Sequence, residues 1–408
     1  MKRLPLTTLA ATAALTVSLS ATLSGGPATA VPATPAAPTA STTASTAAAR
    51  TGAPDPKAAA LLAKARSVLD AKATARKTAF DAKVNIDHDP ARARLIAAID
   101  PDSYECGPTE FDTWVDRQLA SFTAEDQEIF SALAVYDLPT YDALVFGSEN
   151  DPAYALTSDG KALTTSFRTL QRFWDVRGDD IDLMAMHGSM LLDAGRVSRT
   201  YEVVYGVPKA AADELAALVV DYLRAPKFQG GNHPIFTLNA FAFSTYGEEF
   251  VPERTISDRI VMGDGVLRAY RDLGYGDVAP QAILAHEYGH HVQFELGMIT
   301  ATTVDSPETT RRTELHADAS SAYFLSHPRG ESMQWKRVRQ FLPVYYTIGD
   351  CAFASSGHHG TPNQRLRAGT WAYELQEAAR PKGKILPAAT FRDLFDAQLP
   401  TIVAPDRP

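Results

Sequence analysis

The sequence predicts a helix-rich α+β protein in which an N-terminal helical lobe precedes a domain containing a small twisted sheet. Helix-forming stretches dominate the chain beyond residue 57, while an apolar segment at 237–244 has the character of a short strand. Helices are expected at 58–83, 110–135, 161–174, 179–194, 208–224, 278–296 and 306–326.

The composition is that of a mildly acidic globular protein. The chain has 408 residues, 45% of them hydrophobic, and a formal net charge of −9. This balance argues against nucleic acid or an anionic membrane as the main partner, because both select a basic surface. Two cysteines are too few for a disulfide scaffold or a cysteine-based zinc site. We expect a monomer.

An export signal is predicted at residues 1–30. Lys2 and Arg3 precede a weakly apolar stretch, and Ala28-Thr29-Ala30 has the small-residue pattern of a cleavage site. A transmembrane anchor is the alternative, but Thr and Ser interrupt the stretch. We therefore expect a secreted, extracellular protein without a membrane anchor after cleavage.

Three further regions follow the predicted signal. Residues 31–56 are almost entirely Ala, Thr, Pro and Ser, a composition that predicts a disordered spacer. Residues 57–225 form the expected helical region, either a permanent lobe or a removable propeptide. Residues 226–408 carry the candidate site, after a loop expected at 226–233.

The two cysteines are Cys106 and Cys351. In an oxidising compartment they most simply form a disulfide, which would stabilise the fold by about 5 kcal/mol in the chain-entropy model. Alternatively, Cys106 could act as a thiolate that blocks a metal in a proenzyme.

Residues 286–290 form the sequence H-E-Y-G-H. On a helix with Asp277 as its N-cap, His286 and His290 lie one turn apart on one face, so both imidazoles can reach one ion about 2 Å away. Glu287 then lies beside the open coordination position, where a carboxylate can accept a proton from water. A surface helix carrying the pattern by chance is the alternative, but the apolar neighbours indicate a buried helix.

A third protein ligand is needed, and the position six residues beyond His290 holds leucine rather than a third histidine. A helix capped by Ser306 is expected to place Glu314 and Asp318 on one face. Glu314 is the candidate third ligand to a single Zn²⁺, and Asp318 can accept the free N–H of a ligating histidine. His316 or Asp318 as ligand, or a solvated acidic turn, remain alternatives.

With these residues in place, the chain resembles the bacterial neutral zinc metallopeptidases of the gluzincin group. They share H-E-x-G-H-H-V-Q followed by E-L-x-A-D, and the likeness covers about residues 230–376. It implies a zincin-like catalytic domain in which His286, His290 and Glu314 bind zinc and Glu287 is the general base. Residues 359–365 resemble an H-G-x-x-x-Q-R stretch of the same proteins.

A fainter likeness to thermolysin lies upstream. Residues 239–241 (N-A-F) and 263–265 (G-D-G) resemble that family's edge strand and the segment before its active-site helix. The likeness implies that residues 237–244 pair with a peptide substrate and that Asn239 points at it. The alternative is an ordinary apolar strand.

Peptide hydrolysis also needs a donor to the developing oxyanion. Of the downstream candidates we favour His359; the others are His358, Tyr345 and Tyr346. The sequence thus predicts a zinc endopeptidase acting on peptide or protein substrates. A zinc hydrolase of cell-wall peptide and a non-catalytic protein with a structural zinc remain alternatives.

Overall fold

The computed structural model describes residues 56–84, 109–157, 159–246, 251, 256–300, 303, 306–347 and 359–404. These residues are mostly helical and contain a small mixed sheet, in agreement with the predicted α+β class. The predicted signal, nearly all of the spacer, and Cys106 and Cys351 lie outside this part of the chain. Among the described residues, no helix combines the length and the apolar character that crossing a bilayer requires.

The sheet has three strands in the order β1-β3-β2, namely β1 (Ile181–Met186), β2 (Ala240–Phe243) and β3 (Asp258–Gly263). β1 runs parallel to β3, with Ile181 opposite Asp258. β2 is antiparallel to β3, with Ala240 opposite Met262, and it forms an edge of the sheet.

The prediction of a helix at 179–194 is wrong, because residues 181–186 form β1 and a short 3₁₀ turn follows. The segment I-D-L-M-A-M is buried at nearly every position, and such a short apolar run suits a buried strand as well as a helix. Pairing with β3, which lies far along the chain, decides between the two.

The N-terminal helices include two that the sequence analysis did not predict, at 138–146 and 194–205, and those predicted at 58–83 and 110–135 are each broken in two. They are α1 (Pro56–Val68), α2 (Ala71–Val84), α3 (Glu110–Leu119), α4 (Ala124–Ala132), α5 (Leu138–Phe146), α6 (Gly160–Phe173), α7 (Ala194–Tyr205) and α8 (Lys209–Leu223). The break between α1 and α2 follows from Asp70, whose carboxylate accepts the backbone N–H groups of Lys72 and Ala73. A capping box of Thr123 and Asp126 likewise starts α4 as a separate helix.

The C-terminal helices are α9 (Asp264–Asp272), α10 (Ala279–Glu295), α11 (Pro307–Ser326), α12 (Trp335–Thr347), α13 (Pro362–Ala378) and α14 (Ala388–Ile402). Ser306 caps α11 as predicted, accepting the N–H of Thr309. Asp277 does not cap α10: Val278 occupies that position without a side-chain cap, and Asp277 instead binds Arg337.

α10 lies in the interior, packed between α6, α11, β2 and β3. Residues 282–293 of this helix are all buried, so its polar side chains there are surrounded by protein. The sheet spans the boundary expected near residue 226, since β1 precedes that position and β2 and β3 follow it.

Candidate metal centre

The H-E-Y-G-H segment occupies the middle of α10, as predicted. His286, Glu287 and His290 are 5%, 4% and 5% exposed. The imidazole Nε2 atoms of His286 and His290 lie 3.2 Å apart, because residues four apart on a helix share a face. Gly289 lets α11 approach closely: a Cβ at this position would lie 3.0 Å from the Cα of Ala317.

Glu314 of α11 completes a three-residue group with these histidines. Its two carboxylate oxygens lie 3.3 Å from His286 Nε2 and 3.3 Å from His290 Nε2. Donor atoms around a tetrahedral ion with bonds of about 2.0–2.1 Å are separated by about 3.3 Å, so the observed spacing fits. The group could hold a metal ion.

The surroundings of the Glu314 carboxylate also suit a bound metal ion. The side chain is fully buried, yet neither carboxylate oxygen makes a hydrogen bond of ordinary geometry. A buried carboxylate without hydrogen bonds is costly, and a cation is the partner that removes the cost. Burial opposes its ionisation, but the adjacent His290 and His286 outweigh burial and hold the pKa of Glu314 well below its usual range.

Asp318 orients the first histidine, as the sequence predicts. Its Oδ1 lies 2.9 Å from Nδ1 of His286, which leaves Nε2 directed at the centre. Burial disfavours the charged imidazole, but Asp318 and Glu314 outweigh burial and raise the pKa of His286 to about 10 in the metal-free protein. Metal binding must therefore displace a proton from this ring.

Two further residues support the centre, and the sequence reasoning gave neither a role. Arg365 at the start of α13 donates to both oxygens of Asp318, and its Nη2 lies 3.7 Å from Glu314. Gln293 of α10 accepts at Oε1 from Nδ1 of His290, at 3.0 Å. The spacing H-x-x-Q could have indicated Gln293, since residues three apart on a helix are neighbours; Arg365 lies within the H-G-x-x-x-Q-R stretch.

Glu287 lies between α10 and the sheet. Its carboxylate accepts the backbone N–H of Ala242 on β2. Burial raises the pKa of Glu287, while the neighbouring histidines oppose that effect. Because Gly263 donates to the carbonyl of Asn239 on the β3 side, Ala240 and Ala242 direct their backbone groups towards the outer edge of β2.

The structure does not place the two weaker candidates in hydrogen-bonding contact with the centre. Asn239 is buried just before β2, and its amide donates to Thr140 of α5. His359 is buried just before α13, and a Cβ on the adjacent Gly360 would lie 3.1 Å from Leu315. Their roles towards substrate stay predictions. Of the other oxyanion candidates, Tyr345 is buried in α12, while His358 and the Tyr346 side chain lie outside the described residues.

The chain was compared with protein-family models, with characterised proteins and with solved structures, and none of the three comparisons gave a match.

Proposed function

We propose that the protein is a secreted zinc-dependent endopeptidase that uses one Zn²⁺ per chain. The observation that carries the proposal is the buried group of His286, His290 and Glu314, whose donor spacing suits a tetrahedral ion. Two imidazoles and one carboxylate are the protein ligands of several peptidase zinc sites, which keep a fourth position for water or substrate. The resemblance to neutral zinc metallopeptidases and the predicted export signal support the same assignment.

Glu287 would be the general base. Bound zinc would polarise the attacked carbonyl and acidify water. Glu287 would take a proton from the attacking water and pass it to the leaving amine nitrogen. Burial raises the pKa of Glu287, which makes its carboxylate a stronger base than an exposed one.

The edge of β2 supports an extended peptide as substrate. β2 is an outer strand of the three-stranded sheet, and an extended peptide can add to the outer strand of a sheet. The N–H of Ala242 meets Glu287, so a segment aligned on β2 would run past the general base. His359 remains the candidate oxyanion donor and Asn239 a candidate substrate contact.

Zinc content and casein hydrolysis, measured together, test the proposal. Wild type is expected to hold about one zinc per chain and to cleave casein. Glu314→Ala should lose both zinc and activity, whereas Glu287→Gln should keep zinc and lose at least about 100-fold in rate. Glu295→Gln is the matched control, since Glu295 lies on the same helix and is exposed.

The rival functions give different results in the same experiment. A structural zinc predicts that Glu287→Gln changes no measured function. A hydrolase of cell-wall peptide predicts release from peptidoglycan fragments without cleavage of casein. Wild type that binds no zinc when zinc is supplied would overturn the metallopeptidase proposal itself.

A further inference from the structure

We infer that Gln293 and His316 form a positioning pair that fixes which nitrogen of His290 carries the proton. The inference rests on the proposed function, because it assigns the residues that prepare one zinc ligand. Gln293 lies one turn beyond His290 on α10, and His316 lies on α11 between Glu314 and Asp318. Neither Gln293 nor His316 is exposed to solvent.

The orientation of the Gln293 amide follows from one backbone carbonyl. The amide nitrogen lies 2.7 Å from the carbonyl oxygen of Thr313 and 3.1 Å from Nδ1 of His316. A carbonyl oxygen only accepts hydrogen bonds, so the atom beside it must be the NH₂ group. The two hydrogens of that group then go to Thr313 and to His316.

This orientation determines the tautomer of His290. The amide oxygen of Gln293 must face Nδ1 of His290, at 3.0 Å, and it can only accept. Nδ1 therefore carries the proton, which leaves the lone pair of Nε2 directed at His286 and Glu314. That is the form of the ring that can ligate a metal through Nε2.

The role of His316 lies in its Nδ1 atom, which accepts a hydrogen bond from the Gln293 amide. Its proton must then lie on Nε2, and Nε2 is buried without a hydrogen-bond partner. The ring packs edge-on against Phe391 and Phe395 of α14, with centroids 5.7 and 5.2 Å away. An apolar side chain would suit these aromatic neighbours better, so packing does not account for a histidine here.

Zinc affinity, measured by competition with a chromophoric chelator, tests the pair. We expect Gln293→Met to weaken zinc binding by about 10- to 100-fold and His316→Leu by a smaller factor. Because His316 acts through Gln293, the double variant should bind zinc no more weakly than Gln293→Met. Ser320→Ala is the control: it removes a 3.4 Å contact to His316 Nδ1 and should leave affinity unchanged.

Two measurements on the metal-free protein separate positioning from a structural role. His316→Leu should unfold at the same or a higher temperature than wild type, although it binds zinc more weakly. Nitrogen NMR of labelled histidine should show His316 as the Nε2–H tautomer.

Each of three results would overturn the inference: unchanged affinity in Gln293→Met, fully additive losses in the double variant, or an Nδ1–H tautomer at His316. If wild type binds no zinc, the proposed function fails, and the His316 tautomer alone decides the inference.

Discussion

Arg365 donates hydrogen bonds to both oxygens of Asp318, each at 2.7 Å, although neither side chain is exposed. The pair joins α13 to α11 beside Glu314 of the candidate metal centre. Two carboxylates one turn apart, Glu314 and Asp318, are both fully buried, and Arg365 is the guanidinium that lies against them. The two acidic groups would otherwise repel each other in a medium of low dielectric constant.

Replacing Arg365 should therefore destabilise the protein strongly. Arg365→Met keeps much of the volume but leaves Asp318 buried without its ion-pair partner. We expect a loss of about 3–5 kcal/mol in the free energy of unfolding of the metal-free protein, measured in urea. Arg312→Met is the control, because Arg312 and Asp396 form a pair about one-third exposed. It should cost less than about 1 kcal/mol, and equal losses in both variants would contradict the prediction.

Metal binding should release protons at neutral pH. The pKa of His286 is raised to about 10 in the metal-free protein, so its ring is charged at pH 7 and must lose a proton to ligate. Between about pH 7 and pH 9 the apparent zinc affinity should rise about tenfold per pH unit. Calorimetry in buffers of different ionisation enthalpy measures the protons released.

Asp318→Asn is the control for that measurement. Removing the carboxylate that raises the pKa of His286 should reduce the number of protons released at pH 7. The same pKa shift determines how the stability of the metal-free wild type changes with pH. Stability from the charged His286 is fully present below about pH 6.5 and is lost as the pH rises towards 10. Proton release equal in both proteins would contradict this account.

Gly289 should not tolerate a methyl group. Glycine to alanine inside a helix ordinarily stabilises by about 0.5–1 kcal/mol. At Gly289 the added Cβ would meet the backbone of Ala317 at 3.0 Å, so α10 and α11 must separate. We expect Gly289→Ala to destabilise the protein by about 1–3 kcal/mol in thermal or urea unfolding and to weaken zinc binding.

Gly369 of α13 provides the comparison for Gly289. A Cβ at Gly369 would meet side-chain atoms of Leu342 and Tyr345 at 3.0 and 3.2 Å, and side chains can move more readily than a helix backbone. Gly369→Ala should therefore cost less than Gly289→Ala. A stabilising effect of Gly289→Ala would show that the two helices can move apart freely.

A fragment starting at residue 226 should not fold on its own. It would lack β1, which pairs with β3 over six residues, and α6, which packs on α10. Loss of these elements would expose side chains of α10 that are buried in the intact protein. We expect circular dichroism and thermal scans of residues 226–408 to show no cooperative transition. A cooperative, zinc-dependent transition would instead favour removal of residues 57–225 as a propeptide.

The residues of the candidate metal centre were largely predictable, because their placement depends on local helix geometry. His286 and His290 are one turn apart on any helix, and the Ser306 cap fixes where α11 begins. Glu314 and Asp318 then share a face irrespective of the rest of the chain. The helical character of most of the described residues follows from the same local periodicity.

Other features depended on contacts between distant parts of the chain. The segment 181–186 suits a helix or a strand locally, and only pairing with β3 makes it β1. Asp277 could cap α10, but Arg337 engages it instead. No local pattern shows that Arg365 meets Asp318 or that His316 meets Gln293, because these contacts arise when α10, α11 and α13 pack.

The sequence by itself determined which residues can ligate a metal and which carboxylate lies beside them, since helix periodicity acts over a few residues. Tertiary structure decided what surrounds those residues: the guanidinium against Asp318, the amide against His290 and the strand against Glu287. These partners come from separate elements, and burial, which no short motif encodes, requires each polar group to find one.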